Sequence, residues 1–284
     1  MLVTSKEMLT KAYEGKYAVS AINTQGGTYD IIRAVCLAAE EMNSPIILAH
    51  YLSTGEYSGH DWFYETAKWM AEKVSVPVAI HLDHGDTFEH CVEMLNYGFT
   101  SIMYDGSKYS LEENIRRTNE VIKVAHAIDI PVEAEIGELA RLDDNGNITE
   151  CSNIADVDNV KKYLESCHPD SLAIGIGNAH GFYKGPVDIK VDILRQCREF
   201  TDIPFVLHGC TGMDEETVKK SIEYGVAKIN FGTQIRYQYV DYVRQGLEEK
   251  VDQGHAWRLS RYASDKLKDD VKKLILLAGS ENKA

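Results

Sequence analysis

PVAIHLDH at 77–84 is the stretch on which the reading of the fold turns. It opens on a proline, which has no N–H to offer a sheet and suits a strand's first position. It then runs almost without polar interruption, as a parallel strand buried on both faces does, and ends abruptly in ionisable residues. Seven other runs share this plan: YAVSAIN (17–23), PIILAHY (45–51), SIMYDG (101–106), PVEAEIG (131–137), SLAIGIG (171–177), PFVLHG (204–209) and VAKINFG (226–232). Between them lie stretches of helical spacing. In 28–41 the set Ile31, Ile32, Val35, Leu37, Ala38 and Ala39 forms one apolar side, and 111–128 does the same with Ile115, Val121, Ile122, Val124 and Ala125.

Eight strand–helix units fit a closed (β/α)8 barrel or an open doubly wound sheet. A count of eight with no domain break favours the α/β TIM barrel, expected as one domain over 1–284 with an added C-terminal helix from 255 onward. No G-x-G-x-x-G follows the first strand, which weakens the open alternative. Residues 138–155 read as the longest irregular connection.

The net charge of −14 makes the chain a poor sequence-independent partner for nucleic acid, which calls for clustered Lys and Arg. No apolar run approaches the roughly 20 residues of a membrane span. The start MLVTSKEMLTKAYEGKY lacks the basic and then apolar regions of a signal peptide, so a cytoplasmic location is expected. Six cysteines, at 36, 91, 151, 167, 197 and 210, show no C-x-x-C spacing and indicate neither a zinc ribbon nor a disulfide framework.

In such a barrel, function sits where strands end and the following loops begin. The third strand ends in His81-Leu82-Asp83-His84-Gly85, the sixth in Gly177-Asn178-Ala179-His180-Gly181, and the seventh in His208-Gly209-Cys210-Thr211-Gly212. Three imidazoles from three strand ends, with a position left open, form the pattern of a catalytic zinc site. His84, His180 and His208 are the expected ligands, and His81, deeper in its strand, is expected to support them. Asp83 beside a ligand is the natural acid/base group, with a carboxylate that orients an imidazole as the plainer alternative. Loops after strands seven and eight are the recurrent phosphate site of this fold. Here they read Gly209-Cys210-Thr211-Gly212-Met213-Asp214, leading into a helix near Glu215, and Asn230-Phe231-Gly232-Thr233, leading into Gln234–Leu247. Helix N-termini there would supply positive potential, and Lys184 could add a point charge.

These residues carry a resemblance. His81-Leu82-Asp83-His84-Gly85, Asp105-Gly106-Ser107 with Glu113-Asn114-Ile115, and Glu133-Ala134-Glu135-Ile136-Gly137 resemble the class II, metal-dependent ketose-bisphosphate aldolases. Gly177 through Gly185 and Leu207-His208-Gly209-Cys210-Thr211-Gly212 do so as well, and the spacing is closest to the tagatose-bisphosphate branch. The resemblance implies reversible aldol cleavage of a ketose 1-phosphate or 1,6-bisphosphate to dihydroxyacetone phosphate and an aldehyde. It implies Zn2+ on His84, His180 and His208, a proton shuttle at Asp83, and dihydroxyacetone phosphate on Gly181, Gly209, Cys210, Thr211, Asn230, Phe231, Gly232 and Thr233. Lys184 matches the family's basic residue beside the phosphate. A monovalent cation such as Na+ or K+ near that phosphate, a homodimer or homotetramer, and in some relatives a helper subunit are further implications.

The chain also departs from the pattern. Ala140-Arg141-Leu142-Asp143-Asp144 stands where the family has a Gly-Gly pair and an acidic dyad, so the mobile-loop glutamate that takes the carbon-bound proton falls at Asp143. Asp143-Asp144-Asn145-Gly146 reads equally as a hairpin turn. The arginine that the family uses for a distal phosphate falls at Ser264, with Arg258, Arg261 and Lys266 nearby. Other classes fit less well: a zinc hydrolase would want His-x-His on the first strand, and a Schiff-base aldolase would need a desolvated lysine, for which Lys228 is the only candidate by position. A non-catalytic sugar-phosphate-binding or partner subunit of the same fold is the remaining alternative.

Overall fold

The structure, a computed structural model, describes residues 1–138, 140–142, 148–150, 154–181 and 188–284, with backbone alone at 140–142 and 148–150. Eight strands form the wall: β1 (Val19–Asn23), β2 (Ile46–Tyr51), β3 (Val78–Gly85), β4 (Ser101–Tyr104), β5 (Val132–Ile136), β6 (Ser171–Ile174), β7 (Phe205–Leu207) and β8 (Val226–Phe231). They pair in parallel and close into a barrel, with Val19 of β1 opposite Lys228 of β8, so the architecture is the expected (β/α)8 one. The helices are α1 (Ser5–Gly15), α2 (Tyr29–Glu41), α3 (His60–Ala71), α4 (Phe88–Tyr97), α5 (Leu111–His126), α6 (Val157–Ser166), α7 (Asp192–Cys197), α8 (Glu215–Glu223), α9 (Thr233–Glu248) and α10 (Ala256–Ala278). Among the described residues no helix is long and apolar enough to cross a membrane.

The two-residue period of a strand sorts the inner wall into layers. At the N-terminal end Val19, Ile47 and Ala79 pack against Met8, Leu9 and Ala12 of α1. One step up lie His81, Ser101, Glu133 and Lys228, joined by hydrogen bonds and an ion pair. Another step up are Asp83, Glu135 and Asn230, and the polar groups increase toward the end where the loops begin. Helix α1 is absent from the sequence reading, yet it seals the bottom of the barrel. The Met1 ammonium holds its approach by donating to the carbonyls of Ala71, Val74 and Val76, each at 2.8 Å.

The C-terminal helix is an added element, as expected, and it is docked by polar ties to its neighbours. The Ala18 N–H donates to Ala278 O at 2.8 Å, Ser20 Oγ to Leu274 O at 3.3 Å, and Ser44 Oγ to Ser280 Oγ at 2.9 Å. Lys268 and Lys272 pair with Glu41 of α2. The connection at 138–155 is less irregular than expected. Ala140–Leu142 pairs antiparallel with Ile148–Glu150 and parallel with Ala179–His180, so backbone hydrogen bonding ties this excursion to the segment that carries His180.

Candidate active site

In a regular strand Asp83 and His84 would face opposite sides of the wall. His84 has φ +53°, in the left-handed region, and the β3–β4 register shifts between Leu82 and Gly85. That kink turns both side chains to the barrel mouth. A left-handed backbone at a bulky residue costs of order 1 kcal/mol, and here it delivers two functional groups from adjacent positions. At β7 the chain needs glycine immediately after His208. Gly209 has φ +66°, and a Cβ there would lie 2.4 Å from the Ala179 carbonyl oxygen.

The donor atoms of His84, His180 and His208 lie within 4.8 Å of one another. Ring centroids are 4.7 Å apart for His84 and His208, 5.1 Å for His84 and His180, and 6.2 Å for His180 and His208. One nitrogen of each of two rings is already committed. His84 Nδ1 bonds Asp105 Oδ2 at 2.9 Å, and His208 Nε2 bonds Glu133 Oε1 at 2.9 Å. The remaining nitrogens, His84 Nε2 and His208 Nδ1, are buried and have no hydrogen-bond partner. Buried polar atoms are seldom left so, and two imidazole nitrogens orphaned beside a third imidazole suit a divalent ion that prefers nitrogen donors. The residues fit a metal.

The electrostatics agree. Burial disfavours charge on His84, but the hydrogen bond to Asp105 and the fields of Asp83, Glu135 and Asp105 outweigh it and push its pKa up to about 10. A cation is therefore favoured at this ring, and a metal ion can take the place of the proton. Glu135 is driven well above the usual carboxylate range by burial and by neighbouring Asp105. His208 is held well below the usual histidine value by burial, with His84 and Lys228 adding to it. Asp83 is buried; its Oδ1 accepts from Asn230 Nδ2 at 2.8 Å and lies 4.0 Å from His208 Nδ1. A carboxylate is thus held beside the space the three rings enclose.

A family model described as fructose-bisphosphate aldolase class-II matches residues 3–283. The chain belongs to the class-II fructose-bisphosphate aldolase family. It is 36% identical over 289 residues to a probable fructose-bisphosphate aldolase of Bacillus subtilis, covering 100% of this chain and 99% of that one. A fructose-bisphosphate aldolase of Ureaplasma parvum is 37% identical over 257 residues, 88% of this chain and 86% of that one. The crystal structure of the YdjI aldolase of Escherichia coli K12 superposes with a TM-score of 0.88 at 30% identity, covering 100% of both chains. As a class II aldolase the protein is a carbon–carbon lyase.

The remaining expected site residues of this aldolase fall unevenly. Thr211 is buried in the loop after β7. Cys210 is buried too; its thiol donates to Leu207 O at 3.4 Å, and burial pushes its pKa up, so it fills space as an un-ionised group. The Phe231 side chain sits in the apolar core, which leaves only its main chain for a ligand. Asp143 and Lys184 lie outside the described residues. The two expected helix N-termini differ. Asp214 caps α8, accepting from the Thr217 N–H at 2.8 Å, and Glu215 and Glu216 follow. No side chain caps α9, and its first turn holds no acid. Of the two, the start of α9 after Gly232 leaves its first-turn N–H groups without a capping side chain.

Three residues of the site escaped a role in the sequence reading: Asp105, Glu133 and Glu135. Glu133 and Glu135, two apart in an otherwise apolar strand, share its inner face, and that alternation was the available signal. Lys228 is the lysine that a Schiff-base aldolase would have needed. It is fully buried, but it donates to Glu133 Oε2 at 2.7 Å and to His81 Nε2 at 3.1 Å, so its charge is spoken for. His81 is buried in this network, as a supporting residue. Ser264 is buried where α10 meets α2; its Oγ donates to Asp30 O at 2.8 Å and accepts from Arg33 Nη1 at 2.9 Å.

Proposed function

We propose that this class II aldolase uses a divalent ion, Zn2+, held one per subunit by His84, His180 and His208, to cleave a ketose 1-phosphate or 1,6-bisphosphate reversibly to dihydroxyacetone phosphate and an aldehyde. The observation that carries the reading is the pair of buried, unpartnered nitrogens, His84 Nε2 and His208 Nδ1, with Asp83 Oδ1 4.0 Å from the second. When bound, the ion supplies Lewis acidity toward the ketose carbonyl and hydroxyl oxygens. Asp83, steadied by Asn230, takes the C4 hydroxyl proton as the C3–C4 bond breaks and returns it to the aldehyde oxygen in synthesis. Asp143 is the carboxylate for the proton at C3.

The phosphate of dihydroxyacetone phosphate is assigned to the uncapped start of α9 with Gly232, Thr233 and the main chain of Asn230 and Phe231. Gly181, Lys184, Gly209, Cys210 and Thr211 complete that side, and Na+ or K+ accompanies the phosphate. Ser264 presents no cation to a second phosphate, which favours a ketose whose distal end is neutral or a carboxylate. Residues 1–284 are taken as one domain, working as a homodimer or homotetramer in the cytoplasm.

The test is dihydroxyacetone phosphate release from a panel of ketose 1-phosphates, 1,6-bisphosphates and ketose 1-phosphates with a distal carboxylate, with and without chelator. Cleavage lost on chelation and restored by Zn2+ is the expected result. Cleavage indifferent to chelator, or kcat/KM of ~10⁴ M⁻¹s⁻¹ on a 1,6-bisphosphate, would overturn the metal and the distal-end assignments respectively.

A further inference from the structure

Below the three rings runs a continuous buried chain of polar groups. His208 Nε2 meets Glu133 Oε1 at 2.9 Å, Glu133 Oε2 meets Lys228 Nζ at 2.7 Å, and Lys228 Nζ meets His81 Nε2 at 3.1 Å. His81 Nδ1 then meets Ser101 Oγ at 2.8 Å, and Ser101 Oγ meets Ser5 Oγ of α1 at 2.7 Å. All six residues are buried. From His208 to Ser101 the ammonium and the carboxylate fix which atom donates. An ammonium has three donors and no acceptor, so His81 Nε2 must accept from Lys228. His81 therefore carries its proton on Nδ1 and donates to Ser101, whose oxygen shares a further hydrogen bond with Ser5 Oγ. In the other direction an ionised carboxylate only accepts. His208 must then donate from Nε2 to Glu133, which leaves its lone pair on Nδ1, the orphaned atom that faces His84 and His180.

We infer that the buried Glu133–Lys228 pair is a positioning device that locks His208 in its Nε2–H tautomer and so presents Nδ1 to the metal. Lys228 holds Glu133 Oε2 from behind at 2.7 Å, and Glu133 Oε1 orients the ring at 2.9 Å. The device acts on a ligand of the site proposed above and rests on that reading. It explains why a lysine is buried in the centre of a barrel whose reaction has no use for it as a nucleophile. Apolar residues of similar volume would fill the space at no cost in stability, but they would offer His208 no acceptor, and its tautomer would be free.

Two double variants separate positioning from mere packing. Lys228→Met with Glu133→Leu removes the charges and the acceptor together. Lys228→Met with Glu133→Gln removes the charges but keeps an amide oxygen for His208 Nε2–H. Zn2+ affinity is measured on metal-stripped protein by competition with a chromophoric chelator, and the tautomer from the imidazole 15N shifts of the metal-free state. Loss of the acceptor should weaken Zn2+ binding by roughly 10–100-fold and bring Nδ1–H signals for His208. The glutamine variant should recover to within about threefold of wild type, as a restored outer-shell hydrogen bond requires. Equal, wild-type affinity in both doubles would overturn the inference, as would failure of both to fold, which would make the pair structural. A wild-type protein that binds no Zn2+ would instead sink the functional reading above.

Discussion

The two ends of the barrel are lined by the same eight strands and treat polar atoms in opposite ways. At the N-terminal end three charged groups near the base are answered from within the chain. The Met1 ammonium reaches three carbonyls, Asp170 is met by Lys6, His126 and the Val132 N–H, and Arg198 donates to Thr201 O and Ile203 O while stacking on Phe205. At the C-terminal end His84 Nε2, His208 Nδ1 and Asn230 Oδ1 are buried and unanswered, and His84 holds a left-handed backbone. A fold that satisfies one end and leaves the other wanting has placed its stability at the first and its ligand at the second. The contrast can be broken by substitutions at either end.

The largest effect is expected at the top. Asp83→Ala should lower kcat by roughly 10²–10⁴-fold, the range for loss of a general acid/base. Melting of the metal-free protein should stay level or rise, because one of several crowded buried carboxylates is gone. A variant that loses activity and melts markedly earlier would place Asp83 among the structural residues. Next comes the ion. Zn2+ at about a thousand times its Kd should stabilise the protein by about 4 kcal/mol, a rise in Tm of roughly 10 °C. That rise should vanish in a His84→Ala, His180→Ala double variant, and its persistence would put the ion elsewhere.

Leu9→Ala tests the bottom. Leu9 is buried where α1 plugs the barrel, and truncation should cost about 3 kcal/mol in urea unfolding through lost burial and a cavity. The kcat should hold within about twofold, since no site residue is touched and distant sites are nearly independent. A collapse of kcat with little loss of stability would show that the plug shapes the mouth.

This division also marks what a reader of the sequence can see. Strand ends are legible because each is a local event: PVAIHLDH announces its start with Pro77 and its end with His84. The three imidazoles and Asp83 could be gathered by assuming the barrel and reading only those ends. Pairings between distant strands stay hidden. Glu133 and Lys228 are 95 residues apart, and each looks out of place until closure of the sheet brings them to 2.7 Å. The kink at His84 leaves no mark in spacing, so Asp83 and His84 on one side could not be deduced. Helix α1 was missed because its apolar residues are few, and only the open base of a barrel gives them something to cover. The cap of α8 is legible too, because Asp214 is an ordinary N-cap signal and accepts from the Thr217 N–H.

The smallest effect, and the finest test of the bottom's self-sufficiency, is at Asp170. Burial acts to raise its pKa, but the Val132 N–H, Lys6 and His126 together hold it below the usual carboxylate value. The stability this contributes is full above the unfolded-state value near 4 and is lost as pH falls through the lower folded-state value. Asp170→Asn keeps an acceptor for Val132 and removes the charge, so it should cost about 1 kcal/mol at pH 7. In urea unfolding the gap between wild type and variant should stay constant from pH 7 down to about 5 and narrow only below about 4, as that carboxylate protonates. A gap that stays unchanged down to about pH 3 would show that the charge is immaterial and leave Asp170 a hydrogen-bond acceptor only.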